Sequence, residues 1–358
     1  MFSRQNAFVL FSGPAFGPIF QTHIWQSAFV GIKSWPRTGP EIWPQFWAHE
    51  RMKKSFLQAT LFLRWVAWLR RQVEPPTQPL LLNLDETSVS YTFHQSQGLY
   101  VRSLRRKGRC HAQVRKRDLR GAVTHVALIC DRSDVQPKLP QVVICNSHRF
   151  TKSLLASVAS VQPSSVHLFR RKSSWNNTSC MCEILELLAK ALKDFPAFQP
   201  ILLLDTCSCH VSDVVSAKAA ALGIWLVPVP PGLTHLLQPL DVYTFSGYKQ
   251  FLRSAYRKAC LRDGHVSPPS WLKLLFQACT QYLNSRQWSA AFSQVGLGPP
   301  CAAASQELQA IFPDGLPRQR DACLTSAELA KLLPKGKAFR AIHWVRAPAG
   351  RKRILTVH

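Results

Sequence analysis

Acid is scarce in this chain. Its 358 residues hold 19 Asp and Glu against 45 Lys and Arg, a net charge of +26, and no carboxylate precedes Glu41. Such an imbalance implies a polyanionic partner, with nucleic acid first, or a generally basic protein without chemistry. Long apolar runs are also missing. None approaches the roughly 18 residues that would announce a membrane-spanning helix, so no membrane partner is expected. The apolar start, Ala7 to Phe20, is broken by Gly13, Pro14, Gly17 and Pro18 and makes a poor signal peptide. A low-acid organellar transit segment stays open as a reading. No internal repeat is present. The 11 cysteines are odd in number and scattered, unlike a secreted disulfide framework, and read as reduced thiols inside a cell. Cys180 with Cys182 and Cys207 with Cys209 are C-x-C pairs. Zinc sites favour C-x₂₋₄-C, so a zinc site with His210 stands against small residues at a strand end and a helix start.

Apolar residues make up 46% of the chain, enough for a core, and the length suits two domains or one with attachments. Residues 1–78 are set apart as an N-terminal segment holding six of the 11 Trp, from Trp25 to Trp68, with a helical pattern over 45–73 that Pro75 and Pro76 stop. An α/β alternation then begins. Strands are expected at Pro79–Asp85, Leu99–Leu104, Thr124–Cys130, Gln141–Cys145, Ile201–Leu204 and Ile224–Val229. Helices are expected at Cys180–Leu192, from Ser212 to Gly223, and at Asp241–Leu261, Trp271–Leu283 and Gln287–Gln294. Residues 301–358 form a basic tail, in which Thr325 to Glu328 fit a capping box before one short helix. Gly350-Arg351-Lys352-Arg353 reads as a nuclear-import or nucleic-acid patch, or as a solvated basic end.

Where acid is rare, each carboxylate is informative. Asp85 and Asp205 each close a leucine-rich strand, and Asp241 follows Gln238-Pro239-Leu240 at a helix start. A charge directly after a buried strand is costly unless it faces a cleft or is paired. Neighbouring strands would bring Asp85 and Asp205 to one sheet edge, where open α/β sheets keep their sites. Three convergent carboxylates call for Mg²⁺ or Mn²⁺. Two such ions about 3.5–4 Å apart serve phosphodiester cleavage. The alternative for each Asp is an ordinary strand-end or helix-cap residue.

The motifs around these acids resemble a known family. Leu84-Asp85-Glu86-Thr87 looks like the first acidic motif of the DDE superfamily endonucleases, the pogo- and mariner-like transposases. Leu203-Leu204-Asp205 with His210 five residues on is similar to the second. Val229-Pro230-Pro231-Gly232-Leu233-Thr234-His235-Leu236-Leu237-Gln238-Pro239-Leu240-Asp241-Val242 resembles the third, 36 residues after the second acid. The resemblance covers about residues 79–300. It implies a ribonuclease-H-like domain, a mixed five-stranded sheet flanked by helices, with Asp85, Asp205 and Asp241 as catalytic ligands of two Mg²⁺ or Mn²⁺ ions. The implied reaction is hydrolysis of a DNA phosphodiester followed by strand transfer, for which a homodimer in a DNA complex is one assembly; a nuclear location is expected from DNA as partner and from the basic clusters. Auxiliary roles extend to Glu86, His210 and Gln238.

Arg102, Arg105, Arg106, Lys107, Arg109, Arg115, Lys116, Arg117 and Arg120 make the stretch after the first strand strongly basic. Beside an acidic site it would contact DNA phosphates with salt-dependent affinity. Two features depart from the family. Thr206 stands where Asn commonly follows the second Asp, and residues 1–75 do not resemble the family's helix-turn-helix region. They keep a second reading open, a domesticated, inactive transposase-derived DNA-binding protein. An RNA-associated basic protein with an accidental triad is a third.

Overall fold

The computed structural model describes residues 42–90, 123–299 and 303–317, and of residues 42–54 only the helical backbone. The chain divides into two units, Met1–Arg51 and Met52–His358. The expected strand at 99–104, the basic stretch 102–120, the tail helix near 325 and the Trp residues before position 42 lie outside the described residues.

Helix α1 spans Ile42–Gln72. Six strands follow: β1 (Gln78–Val89), β2 (Val123–Cys130), β3 (Gln141–Asn146), β4 (Val166–Arg171), β5 (Phe198–Leu204) and β6 (Trp225–Pro228). They form one sheet in the order β4-β3-β2-β1-β5-β6. β1 runs antiparallel to β2 and parallel to β5, and β6 continues parallel to β5. This is the ribonuclease-H-like arrangement, with six strands where five were expected. The extra strand is β4, reached from β3 through the short helix α2 (Lys152–Ala156) and added parallel to β3 at the sheet edge. Its sequence, Val-His-Leu-Phe-Arg-Arg, buries only Val166. An edge strand has one neighbour and little cover, so it needs no apolar run that a reader could detect.

Both faces of the sheet are covered, which explains the near-continuous leucine runs of β1 and β5. Along β1, Leu80, Leu82 and Leu84 enter one apolar cluster and Leu81 the other. In β5, Leu202 and Leu204 go one way and Ile201 and Leu203 the other, as strand alternation dictates. The first face carries α3 (Thr178–Ala191) and α4 (Asp213–Ala221) through Met181, Ile184, Leu188, Val215 and Ala219. The second carries Phe62, Trp65 and Leu69 of α1 together with the C-terminal helices.

The segment after β6 turns sharply at Pro230-Pro231-Gly232, where the Leu233 amide donates to the Pro230 carbonyl at 3.1 Å. Gly232 has φ +79°, a backbone state that suits glycine at the third position of such a turn. A short helix α5 (Thr234–Leu237) leads into a π-helical turn, Leu240–Thr244, and then α6 (Phe245–Asp263). The helix expected from Asp241 thus starts with a wider turn. Proline at 239 offers no amide, and the Thr244 hydroxyl donates to the Pro239 carbonyl at 3.4 Å. Three more helices follow: α7 (Pro268–Gln277), α8 (Ser289–Gln294) and α9 (Gln306–Ile311). Between α7 and α8, Ala278–Asn284 continues as a second π-helical stretch. Among the described residues no helix is long and apolar enough to cross a membrane.

Candidate active site

Parallel pairing of β1 with β5 sets Asn83 opposite Leu203. Asp85 and Asp205 each lie two residues further on, so they emerge at one level and, by alternation, on one face of the sheet. That face is where α5 and the π-helical turn pack, and Asp241 arrives on this turn.

One side chain joins the three segments. Asn83 is fully buried in the middle of the leucine run. Its Oδ1 accepts from the Leu240 amide at 2.8 Å, and its Nδ2 donates to the Leu203 carbonyl at 3.1 Å. A polar group sealed in apolar surroundings is tolerated when it is bonded this way. Asn83 therefore ties the residue before Asp241 and a residue two before Asp205 to the strand that carries Asp85. Sequence reasoning passed over it, although a lone amide inside Leu80–Leu84 was a visible signal.

Asp85 is buried and its Oδ1 accepts the Glu86 amide at 2.8 Å. Burial, then the charge of Asp241, and then those of Glu86 and Asp205 push its pKa up to about 8, against the lowering effect of that amide. Asp205 is more open. Burial works against its charge as well, but His210 and the Cys207 amide hold its carboxyl below the usual range. Its Oδ1 accepts from the Cys207 amide at 2.9 Å and meets His210 Nδ1 at 2.5 Å.

Glu86, by alternation, turns to the opposite face. There it meets His210 Nε2 at 2.8 Å and accepts from Asn176 Nδ2 at 2.6 Å. The His210 ring is completely enclosed between two carboxylates. Desolvation disfavours its charge, but the bonds to Asp205, Cys209 and Glu86 outweigh it and hold the ring as imidazolium. The turn from Cys207 sets its position, since the His210 amide donates to the Cys207 carbonyl at 2.9 Å.

Of the expected auxiliary residues, Glu86 and His210 are thus joined to each other and to Asp205. Gln238 is fully buried, and neither polar atom of its amide has a partner among the described residues. The nine basic residues from Arg102 to Arg120 lie outside the described residues. Asn176, not foreseen from sequence, is held by the loop that leads into α3.

The donor set suits a hard divalent cation, being carboxylate oxygen only, with Asp85 under the repulsion of its neighbours. Among the described residues, no group of three His, Cys, Asp or Glu side chains is already arranged as a metal cage. Magnesium asks for less, because one or two carboxylates plus substrate phosphate oxygens suffice.

The order of the sheet defines a ribonuclease-H-like α/β domain, with Asp205 just past β5 as expected but Asp85 inside β1, which pairs with β2 as far as Val89 and does not end at the acid. Residues 123–290 match the family described as DDE superfamily endonuclease. The match takes in Asp205 and Asp241, while Asp85 lies ahead of it. No curated protein matches the chain. Among solved structures, it is similar to the Mos1 transposase paired-end complex with left transposon end, at 11% identity and TM-score 0.37, over 78% of this chain and 71% of that one. The Mos1 mariner paired-end complex with Mn gives 12% and 0.38, over 77% and 70%. The Mos1 strand transfer complex gives 12% and 0.36, over the same shares.

Proposed function

We propose that this domain is a metal-dependent DNA endonuclease of the transposase type, with Asp85, Asp205 and Asp241 as the ligands of Mg²⁺ or Mn²⁺. The observation that carries this reading is the convergence of three acid-bearing segments on one amide, Asn83, in a chain otherwise poor in acid. Such ions, when bound, activate a water and stabilise the leaving oxygen of a phosphodiester. The protein's own groups do the rest. Asp85 gives up its proton to become a ligand. His210 holds one oxygen of Asp205 in place and leaves the other for coordination, the kind of support that fixes a ligand's orientation. Asn83 keeps the spacing between the three segments.

DNA as partner is supported by the net charge of +26 and by the basic stretch 102–120, which would bind phosphates. The test is nicking of supercoiled plasmid with Mn²⁺ by the wild-type chain and by Asp205→Asn. Metal-dependent nicking that the variant loses is expected. No nicking by either, with salt-sensitive DNA binding retained, would replace this reading with that of a DNA-binding derivative.

A further inference from the structure

Beside the carboxylates lies a cleft of about 990 Å³. Glu86 and Asp205 form part of its wall, and Asn146, Arg149, Trp175 and Asn176 form another. Two short loops supply that second part. One follows β3 and the other joins β4 to α3. They are fastened together, since the Ser147 amide donates to the Arg171 carbonyl at 2.7 Å and Asn146 Nδ2 to the Lys172 carbonyl at 3.1 Å. Arg170 bonds back to the carbonyls of Phe150 and Ser147. At the base of the second loop, Arg171 bonds both oxygens of Glu183, and at its far end Asn177 caps α3 through the Cys180 amide.

Between these anchors Trp175 stands 79% exposed. A large indole on a loop fixed at both ends, lining a cleft that reaches Asp205, offers its π-face to a flat partner. The wall around it is polar, and Asn176 is held there by Glu86 through its Nδ2 while its Oδ1 has no partner. Exposed His148 and Arg149 border the same cleft and suit a phosphate. The volume admits a nucleotide.

We propose that this cleft takes one unstacked nucleobase of the DNA strand at the cutting site, with the base on the indole of Trp175 and its phosphate beside Arg149. The proposal rests on the reading of the domain as a DNA endonuclease, and it adds a preference for DNA opened into single strand next to the cut.

The test compares the full-length wild-type chain with Trp175→Ala and Trp175→Phe, without divalent metal. Fluorescence anisotropy reads the affinity for a forked oligonucleotide with a single-stranded arm and for a blunt duplex of the same sequence. Base–aromatic stacking predicts that Trp175→Ala weakens fork binding by about 5- to 150-fold. Blunt-duplex binding should be unchanged, and Trp175→Phe should recover most of the fork affinity. Abasic sites placed along the arm should reproduce the loss in the wild type at one position and cost the Ala variant nothing further there. Equal losses on both DNAs, or none, would overturn the subsite, as would a wild-type chain that binds neither DNA. A wild type that fails to nick plasmid yet shows the fork effect would leave the subsite standing and remove only the catalytic reading.

Discussion

Replacing Asn83 with leucine keeps the number and branching of its side-chain heavy atoms while adding bulk, so the expected damage is mainly polar and leaves no cavity. The Leu240 amide loses its 2.8 Å acceptor deep in the fold, and the Leu203 carbonyl loses a 3.1 Å donor. A buried amide left unpaired costs about 1–3 kcal/mol, whereas a carbonyl, with a second lone pair for the sheet, loses about 1 kcal/mol. The bond from Nδ2 to the Leu84 carbonyl, at 3.4 Å, is long and adds little. Together these give a destabilisation of about 2–4 kcal/mol, read from the urea midpoint. Loss of stability alone would not show that Asn83 spaces the acids, so a matched comparison is needed. Leu188→Ala on α3 removes a fully buried side chain from the other face of the sheet and should cost a similar amount, about 2–5 kcal/mol. At temperatures where both variants are folded, Asn83→Leu should bind Mn²⁺ more weakly and nick plasmid more slowly than Leu188→Ala. The reasoning fails if Asn83→Leu costs under about 1 kcal/mol, or if the two variants lose metal binding to the same degree.

Two further outcomes follow from the carboxylates. Folding raises the pKa of Asp85 to about 8, so between about pH 4 and 8 the folded state holds a proton that the unfolded chain has released. That contribution makes the metal-free protein lose stability as pH rises through this window. A divalent cation displaces the proton, so the rise in melting temperature caused by Mn²⁺ should grow with pH and level off above about 8; a rise independent of pH would count against Asp85 as a ligand. His210→Ala removes the brace on Asp205 and should lower Mn²⁺ affinity by about 10- to 100-fold, measured by titrating Mn²⁺ in a thermal-shift assay. An unchanged affinity would mean that the His210 bridge serves the fold alone.

How much of this could be read in advance depended on whether the signal was local. The runs Leu80–Leu84 and Ile201–Leu204 spell buried strands because both faces of the sheet are covered. Ser212 and Gly223 marked the start and end of α4 correctly, and the Ser212 hydroxyl does accept from the Val215 amide. β4 was missed because an edge strand carries no apolar run, and the π-helical turn at 240–244 because its width follows from packing. The motifs around Asp85, Asp205 and Asp241 were visible in the sequence. Their wiring was not. Whether Glu86 faced Asp85 or His210, and which residue set the spacing of the three acids, depend on contacts that only the folded chain makes.

The bonds of Asn83 reach across 120 residues to Leu203 and 157 to Leu240. Asp85 precedes Asp205 by 120 residues and Asp241 by 156, and it lies on a central strand whose parallel partner is made much later. During synthesis the first acid leaves the ribosome long before the other two exist, and contacts of such long range form late in folding. A nascent or prematurely ended chain therefore has no assembled site. On the proposed reading, cutting would require a polypeptide that has passed Asp241.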